Sequence, residues 1–383
     1  MFQTTMTGSY YRTPEIEKLL RASKTGELDG SFKDAIERSE SSAMDDQLHP
    51  DGSKFGLDWI SNGEQRKSGY TTYIPNRFSG FSKSSRVSQQ FSTDFYNELV
   101  EASPHLAAMI QETKSFDLPV IDDRLQYNGE KIAREEAALS LSLARKKGAA
   151  RIFVPAPSPG VITVFYPLSK AYRDHEDYLF SLSKELAKEY RSILSVDGVD
   201  LQIDAPDLAM AKSLGLDWAK NFREVLPLHV KAINEAISGL PSERIRVHYC
   251  YGNYASAHLT DPPYSEVFPE LLKLRAGTLV GEMANPRHAG DPIIIRKHVR
   301  EYGWPKHMKF AVGVIDVKSP FVETPESVFQ KLENVSSIDE IGSENVMGGT
   351  DCGFETFSGL GSVPRSIAVK KLKSLSLGSR IEL

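Results

Sequence analysis

Short runs of β-branched and aromatic residues alternate with longer amphipathic stretches along nearly the whole chain, and this alternation narrows the fold more than any other feature. The strand candidates are Gln3–Thr7, Gly56–Ile60, Ala150–Val154, Gly198–Ile203, Ile245–Tyr249, Thr278–Gly281, Lys309–Val314 and Glu344–Met347. Helical patterns fall between them, at Ser31–Leu48, Ser92–Ser103, His175–Leu194, Asn221–Leu240, Pro263–Leu274, Pro292–Tyr302, Ser327–Val335 and Pro364–Leu375. Within His175–Leu194 the apolar positions Leu179, Leu182, Leu186, Tyr190 and Leu194 recur close to helical spacing. Eight strand candidates, each followed by a helix, predict an α/β fold: a closed (β/α)₈ TIM barrel forming one domain over residues 1–383. The competing architecture, a doubly wound open sheet, lacks a Gly-x-Gly-x-x-Gly turn after an early strand. Lys67–Lys83 and Ser103–Tyr127 are polar, aromatic and proline-containing, and exceed a minimal barrel. They read as loop insertions around the second and third units, either covering the active face or decorating the surface.

Hydrophobic residues make up 40% of the 383 positions and charged residues 25%, which is enough apolar material for a sizeable core. The net charge of −5 is mild, and no Lys/Arg block or basic, aromatic-rich segment calls for a nucleic-acid partner. No apolar run approaches the roughly 18 residues of a membrane span. Met1–Glu15 has neither the basic n-region nor the apolar h-region of a secretory signal, so the expectation is a soluble, cytoplasmic chain with no membrane partner. Cys250 and Cys352 are too few for a disulfide framework.

Polar residues stand where the predicted strands stop. Ser9 follows the first, Glu64 the second, Asp204 the fourth, and His248 and Cys250 the fifth. Glu282 follows the sixth, Asp316 the seventh, and Asp351 and Cys352 the eighth. A (β/α)₈ barrel gathers these ends on one face, where such barrels build their active sites. His248-x-Cys250 is the sharpest element, because residues two apart on a strand point to the same side. Imidazole and thiolate suit zinc, and Cys352 with Glu282 would complete a four-ligand set. A core cysteine and a hydrogen-bonded histidine remain the alternatives at this stage. A metal held by two thiolates, an imidazole and a carboxylate is electron-rich, so it suits binding a substrate thiol as thiolate better than generating hydroxide.

Val247–Tyr254 (VHYCYGNY), Glu282, Val312–Pro320 (VGVIDVKSP) and Gly348–Thr356 (GGTDCGFET) resemble the catalytic half of cobalamin-independent methionine synthase. Thr7–Glu15 (TGSYYRTPE) is similar to that family's opening Gly-Ser loop. Asn62–Tyr70 (NGEQRKSGY) is similar to its Gly-Glu element, and Leu201–Ala209 (LQIDAPDLA) to its Gln-Ile-Asp element. The likeness runs from near residue 4 to about residue 360, as a single barrel. It implies zinc held by His248, Cys250, Glu282 and Cys352. It also implies an amino-thiol site of Gly8, Ser9, Glu64 and Asp204, where carboxylates receive an α-amino group. The implied activity is methyl transfer to the thiol of homocysteine from methyl-tetrahydrofolate or a substitute, with Asp316 and Lys318 as catalytic candidates.

The chain departs from the family where the methyl donor binds. Lys318 stands at the position of a family histidine, and a lysine would serve as proton donor only if burial lowered its pKa. The family's Asp-Glu-Pro reads Asp204-Ala205-Pro206, and the segment that carries a tryptophan there, Pro155–Pro167, has none. These changes keep open a second activity, a zinc-dependent thiol alkyltransferase with another donor or thiol, as in epoxyalkane:coenzyme M transferase of the same wider group. A non-catalytic zinc staple is a third reading. A plain hydrolase has no Gly-x-Ser-x-Gly elbow in its favour.

Overall fold

A computed structural model describes residues 1–23, 25–88, 93–104, 107–108 and 117–382. The β-branched runs pair as parallel strands: β1 (Gln3–Thr4), β2 (Trp59–Ser61), β5 (Arg151–Pro157), β6 (Val199–Asp204), β7 (Ile245–Tyr249), β8 (Thr278–Gly281), β9 (Lys309–Ile315) and β10 (Val346–Thr350). They follow the order β1-β10-β9-β8-β7-β6-β5-β2, and parallel bridges Thr5–Trp59 and Ser9–Gly63 join the two ends into a ring. The fold is the expected (β/α)₈ barrel, and β7 and β8 have the limits read from sequence. Strands β6, β7, β8 and β10 are buried at every position, as befits strands covered on both faces.

Several helices start on a Ser/Thr-Pro pair. The hydroxyls of Thr13, Ser158 and Thr324 accept from Ile16 N, Val161 N and Ser327 N, and Pro14, Pro159 and Pro325 occupy the first helical turn. Cap and proline together satisfy or remove backbone donors that would otherwise lack partners. Helices His175–Leu194, Phe222–Ala236, Tyr264–Leu271, Asp291–Tyr302, Pro325–Ser336 and Arg365–Gly378 match the predicted ones closely. Helix Glu130–Lys146 was not predicted from the sequence, although it is the outer helix of the second barrel unit.

The two predicted insertions belong to one excursion, between β2 and helix Glu130–Lys146. It holds an antiparallel pair, β3 (Phe78–Ser88) and β4 (Asp117–Tyr127), and helix Thr93–Ala102. Ser92 of the predicted helix, and residues 105–106 and 109–116 of the second insertion, lie outside the described residues. Glu98 of this helix accepts from Ser256 Oγ, His258 N and Leu259 N, which ties the excursion to the loop after β7 on the barrel's active face.

A buried charge cluster anchors the excursion to the barrel. Arg77 is fully buried and donates to Glu27 at 2.5 Å, Glu136 at 2.5 Å and Glu189 at 2.6 Å. Lys67 lies 3.0 Å from Glu136 and donates to Pro155 O at 3.1 Å. Tyr73 donates to Glu189, and Asn62, just past β2, donates to Glu136. Removing the cation would leave carboxylates buried without a partner, a loss that typically costs about 3–5 kcal/mol. Arg77→Met is therefore expected to lower unfolding stability by that amount, read from the shift in urea midpoint at constant slope. A shift below about 1 kcal/mol would show that the cluster relaxes or hydrates instead.

Candidate metal and thiol site

The sequence Ile245-Arg-Val-His-Tyr-Cys250 sets the site's central row. Alternation sends Ile245, Val247 and Tyr249 outward and Arg246 and His248 into the barrel, with Cys250 just beyond the strand end. Arg246 seals the floor, donating to Thr5 Oγ1 at 2.8 Å and Met6 O at 3.1 Å with its guanidinium over the Phe153 ring. One step higher, β6 pairs Asp204 opposite His248.

His248, Cys250 and Cys352 are all buried, and their donor atoms lie within 4.8 Å of one another. His248 Nδ1 is 3.1 Å from Asp204 Oδ1, and its Nε2 is 3.1 Å from Asp351 O. Burial opposes a charge on His248, but the hydrogen bonds to Asp204 and Cys352 outweigh it and raise the imidazole pKa to about 10. A carboxylate on Nδ1 fixes that nitrogen as the donor and leaves Nε2 for a metal, which would release the second proton on binding. The hydrogen bond shared with Cys250, together with burial, pushes the Cys352 thiol well up.

The fourth predicted ligand, Glu282, is not in this cluster. Its Oε1 pairs with Lys318 Nζ at 2.5 Å, and its Oε2 accepts from Tyr251 N at 2.8 Å. Burial would raise the Glu282 carboxyl, but the Lys318 ammonium holds it well below the ordinary range. The same pair raises Lys318 well above its usual value against the effect of burial. The lowered pKa that a proton-donating Lys318 requires is therefore not what this arrangement produces. Asp316 accepts from Lys318 N at 2.9 Å, so it shapes the turn that presents the lysine. Neither Asp316 nor Lys318 lines the cavity described next.

A cavity of about 150 Å³ opens over the three donors, lined also by Ser9, Glu64, Tyr70 and Asp204, with Phe95, Val164, Phe165 and Phe357 among its walls. Phe95 comes from the excursion, so part of that segment does reach the active face. Glu64 adopts φ 57°, a conformation that side chains other than glycine rarely take. Gly8 makes room for it, since a Cβ there would meet Glu64 Oε1 at 2.8 Å and Pro155 Cγ at 2.9 Å. Gly353 has a similar role beside Ser9, whose Oγ would lie 1.9 Å from an added Cβ. The Glu64 Oε2 atom is buried and has no hydrogen-bond partner among the described residues. Burial first, and the Asp204 charge second, raise its pKa to about 7.

All four predicted amino-thiol residues thus meet around one cavity, Gly8 by backing Glu64 and the other three by lining it. The sequence reading placed Asp351 at a strand end without giving it a role, and it did not single out Tyr70. Asp351 Oδ1 accepts from Met283 N and Ala284 N, shaping the loop that carries Glu282. Tyr70, held edge-on by Phe165, belongs to the first predicted insertion, whose aromatic content was the available signal.

The raised Glu64 pKa has a measurable consequence. The folded pKa lies above the unfolded one near 4.5, so stability is lost as pH rises from about 4.5 through 7. Glu64→Gln is expected to match the wild type below about pH 4.5. Above pH 7 and without ligand it should be more stable, by on the order of 1–3 kcal/mol, read from denaturant melts across pH. A variant less stable than wild type at pH 8 would contradict this.

No family model matches the chain. Among curated proteins, it is 24% identical over 381 residues to a methionine synthase of Sulfurisphaera tokodaii, spanning 99% of this chain and 91% of that one. A methionine synthase of Pyrococcus horikoshii is 22% identical over 374 residues, covering 97% and 90%. The 2-hydroxypropyl-CoM lyase of Xanthobacter autotrophicus is 24% identical over 233 residues, covering 55% and 56%. The B12-independent methionine synthase from Shewanella sp. W3-18-1, solved with selenomethionine, superposes with a TM-score of 0.67 at 21% identity, covering 99% and 97%. The chain is thus a homologue, over nearly its whole span, of proteins named methionine synthase, and it shares the fold of the B12-independent one.

Proposed function

We propose that the chain transfers a methyl group to the thiol of homocysteine, giving methionine, with zinc as its metal and methyl-tetrahydrofolate or a substitute as donor. The observation that carries this reading is the unpartnered Glu64 carboxylate beside Asp204, in the same cavity as His248, Cys250 and Cys352. An amino thiol carries both groups that such a cavity lacks: an ammonium for the carboxylates and a sulfur for the metal. Two thiols and an imidazole backed by a carboxylate fit zinc, while Glu282, the oxygen donor implied by the family resemblance, is paired with Lys318. Bound there, zinc supplies the Lewis acidity that keeps a substrate thiol ionised and nucleophilic near neutral pH.

The chain's own residues do the rest. Glu64 and Asp204 hold the ammonium, which relieves the like-charge contact between them. Asp204 also orients His248, so amine binding and metal binding share one carboxylate. Phe95, Val164, Phe165 and Phe357 exclude water around the sulfur and give the donor an apolar wall. The similarity to 2-hydroxypropyl-CoM lyase raises coenzyme M as the alternative thiol. Coenzyme M presents a sulfonate in place of an ammonium, which Glu64 and Asp204 would repel, and Lys318 is engaged by Glu282.

Metal analysis and zinc X-ray absorption test the proposal. The expected result is about one zinc per chain, gaining one sulfur neighbour at roughly 2.3 Å when homocysteine is added. Glu64→Gln should weaken homocysteine binding by roughly 30-fold or more in calorimetry while keeping its zinc. Zinc that ignores homocysteine, or a chain that takes up no zinc, would overturn the reading.

A further inference from the structure

Glu282 stands beside the three soft donors yet has both oxygens committed elsewhere. One is held at 2.5 Å by Lys318, and the other by the backbone of Tyr251, the residue next to Cys250. Lys318 is itself firmly placed. Its backbone N–H donates to Asp316, whose own N–H donates to Glu323, and Lys371 pairs with Glu323 at 2.9 Å. The side chains of Lys318 and Glu282 are 5% and 2% exposed, so water competes little for the pair. Asp351, close behind, fixes the loop after Glu282 through Met283 N and Ala284 N.

We propose that Lys318 is a positioning residue that competes with the metal for Glu282 and so keeps the metal's fourth position open to the substrate thiol. This rests on the zinc and thiol reading above. A closed set of four protein ligands is the arrangement of structural zinc sites, whereas catalytic ones keep three and leave a place for substrate. A carboxylate tied to an ammonium is a poorer ligand, because binding the metal would strand the ammonium in a buried site. No bond is made or broken by Lys318, and it carries no proton in the reaction. Its effect is exerted entirely through the carboxylate it holds.

The test uses the full chain loaded with zinc or with cobalt(II), whose absorption bands report coordination and thiolate binding. Metal affinity is measured against a chelating dye and thiol affinity by titration with homocysteine. In Lys318→Gln the freed Glu282 ligates the metal, so metal affinity rises and homocysteine binding weakens by roughly 10–100-fold. Lys318→Arg keeps the pair and stays close to wild type. In a Glu282→Gln background, Lys318→Gln changes neither quantity, because the residue through which lysine acts is gone. That double variant strands no buried charge, so it carries the comparison if Lys318→Gln fails to fold. Unchanged affinities in Lys318→Gln would overturn the proposal, as would equal shifts in the presence and absence of Glu282. A wild-type metal that ignores homocysteine would defeat the functional reading, while the metal-affinity comparison still decides the role of Lys318. A chain that binds no metal would overturn both.

Discussion

Arg77 is the one cation facing Glu27, Glu136 and Glu189 together among the described residues, and the second barrel unit is assembled around that contact. These carboxylates come from the loop before residue 30 and from helices Glu130–Lys146 and His175–Leu194. Lys67 and Asn62 extend the cluster to within a few residues of Glu64. Arg77 reaches all three carboxylates of the cluster, yet Glu189 Oε2, like Glu64 Oε2 nearby, has no hydrogen-bond partner among the described residues. A buried, left-handed, unpaired carboxylate persists only where its surroundings over-determine it. Here the rigid ion cluster on one side and Gly8 on the other do so.

The cluster of His248, Cys250 and Cys352 depends on the register of the parallel strands in the same way. Asp204 meets His248 because β6 and β7 pair those two residues, and Cys352 arrives from across the ring. Register also explains why Arg246 lies directly under His248, so the barrel interior is polar from its floor upward. Glu282 and Lys318 end adjacent strands, β8 and β9, and their ion pair follows from that adjacency.

Most strands were legible as short β-branched runs between amphipathic stretches, even where polar residues alternate inward as in β6 and β7, and the strand-end residues followed from the barrel once eight runs were counted. Helix Glu130–Lys146 was not, and its buried positions show why: among Ala133, Glu136, Ala137, Ser140, Leu143 and Ala144 only Leu143 is a large apolar residue. Small residues let it pack close, and Glu136 is buried there because Arg77 awaits it. Neither fact can be read from residue 136 alone. His248, Cys250 and Cys352 stood out because the chain has two cysteines and one of them lies two residues from a histidine at a strand end. The partner of Lys318 was not, since Glu282 lies 36 residues away at the end of another strand.

The excursion that brings Phe95 to the cavity hangs from the barrel by contacts separate from the metal ligands: Glu98 on the loop after β7, and Phe95 against Tyr254 with rings 4.9 Å apart. The donor atoms of His248, Cys250 and Cys352 sit at strand ends, while Phe95 in the cavity wall belongs to an appended segment. A change in that segment can therefore reshape one wall of the cavity while the strand ends that carry the three donors stay as they are.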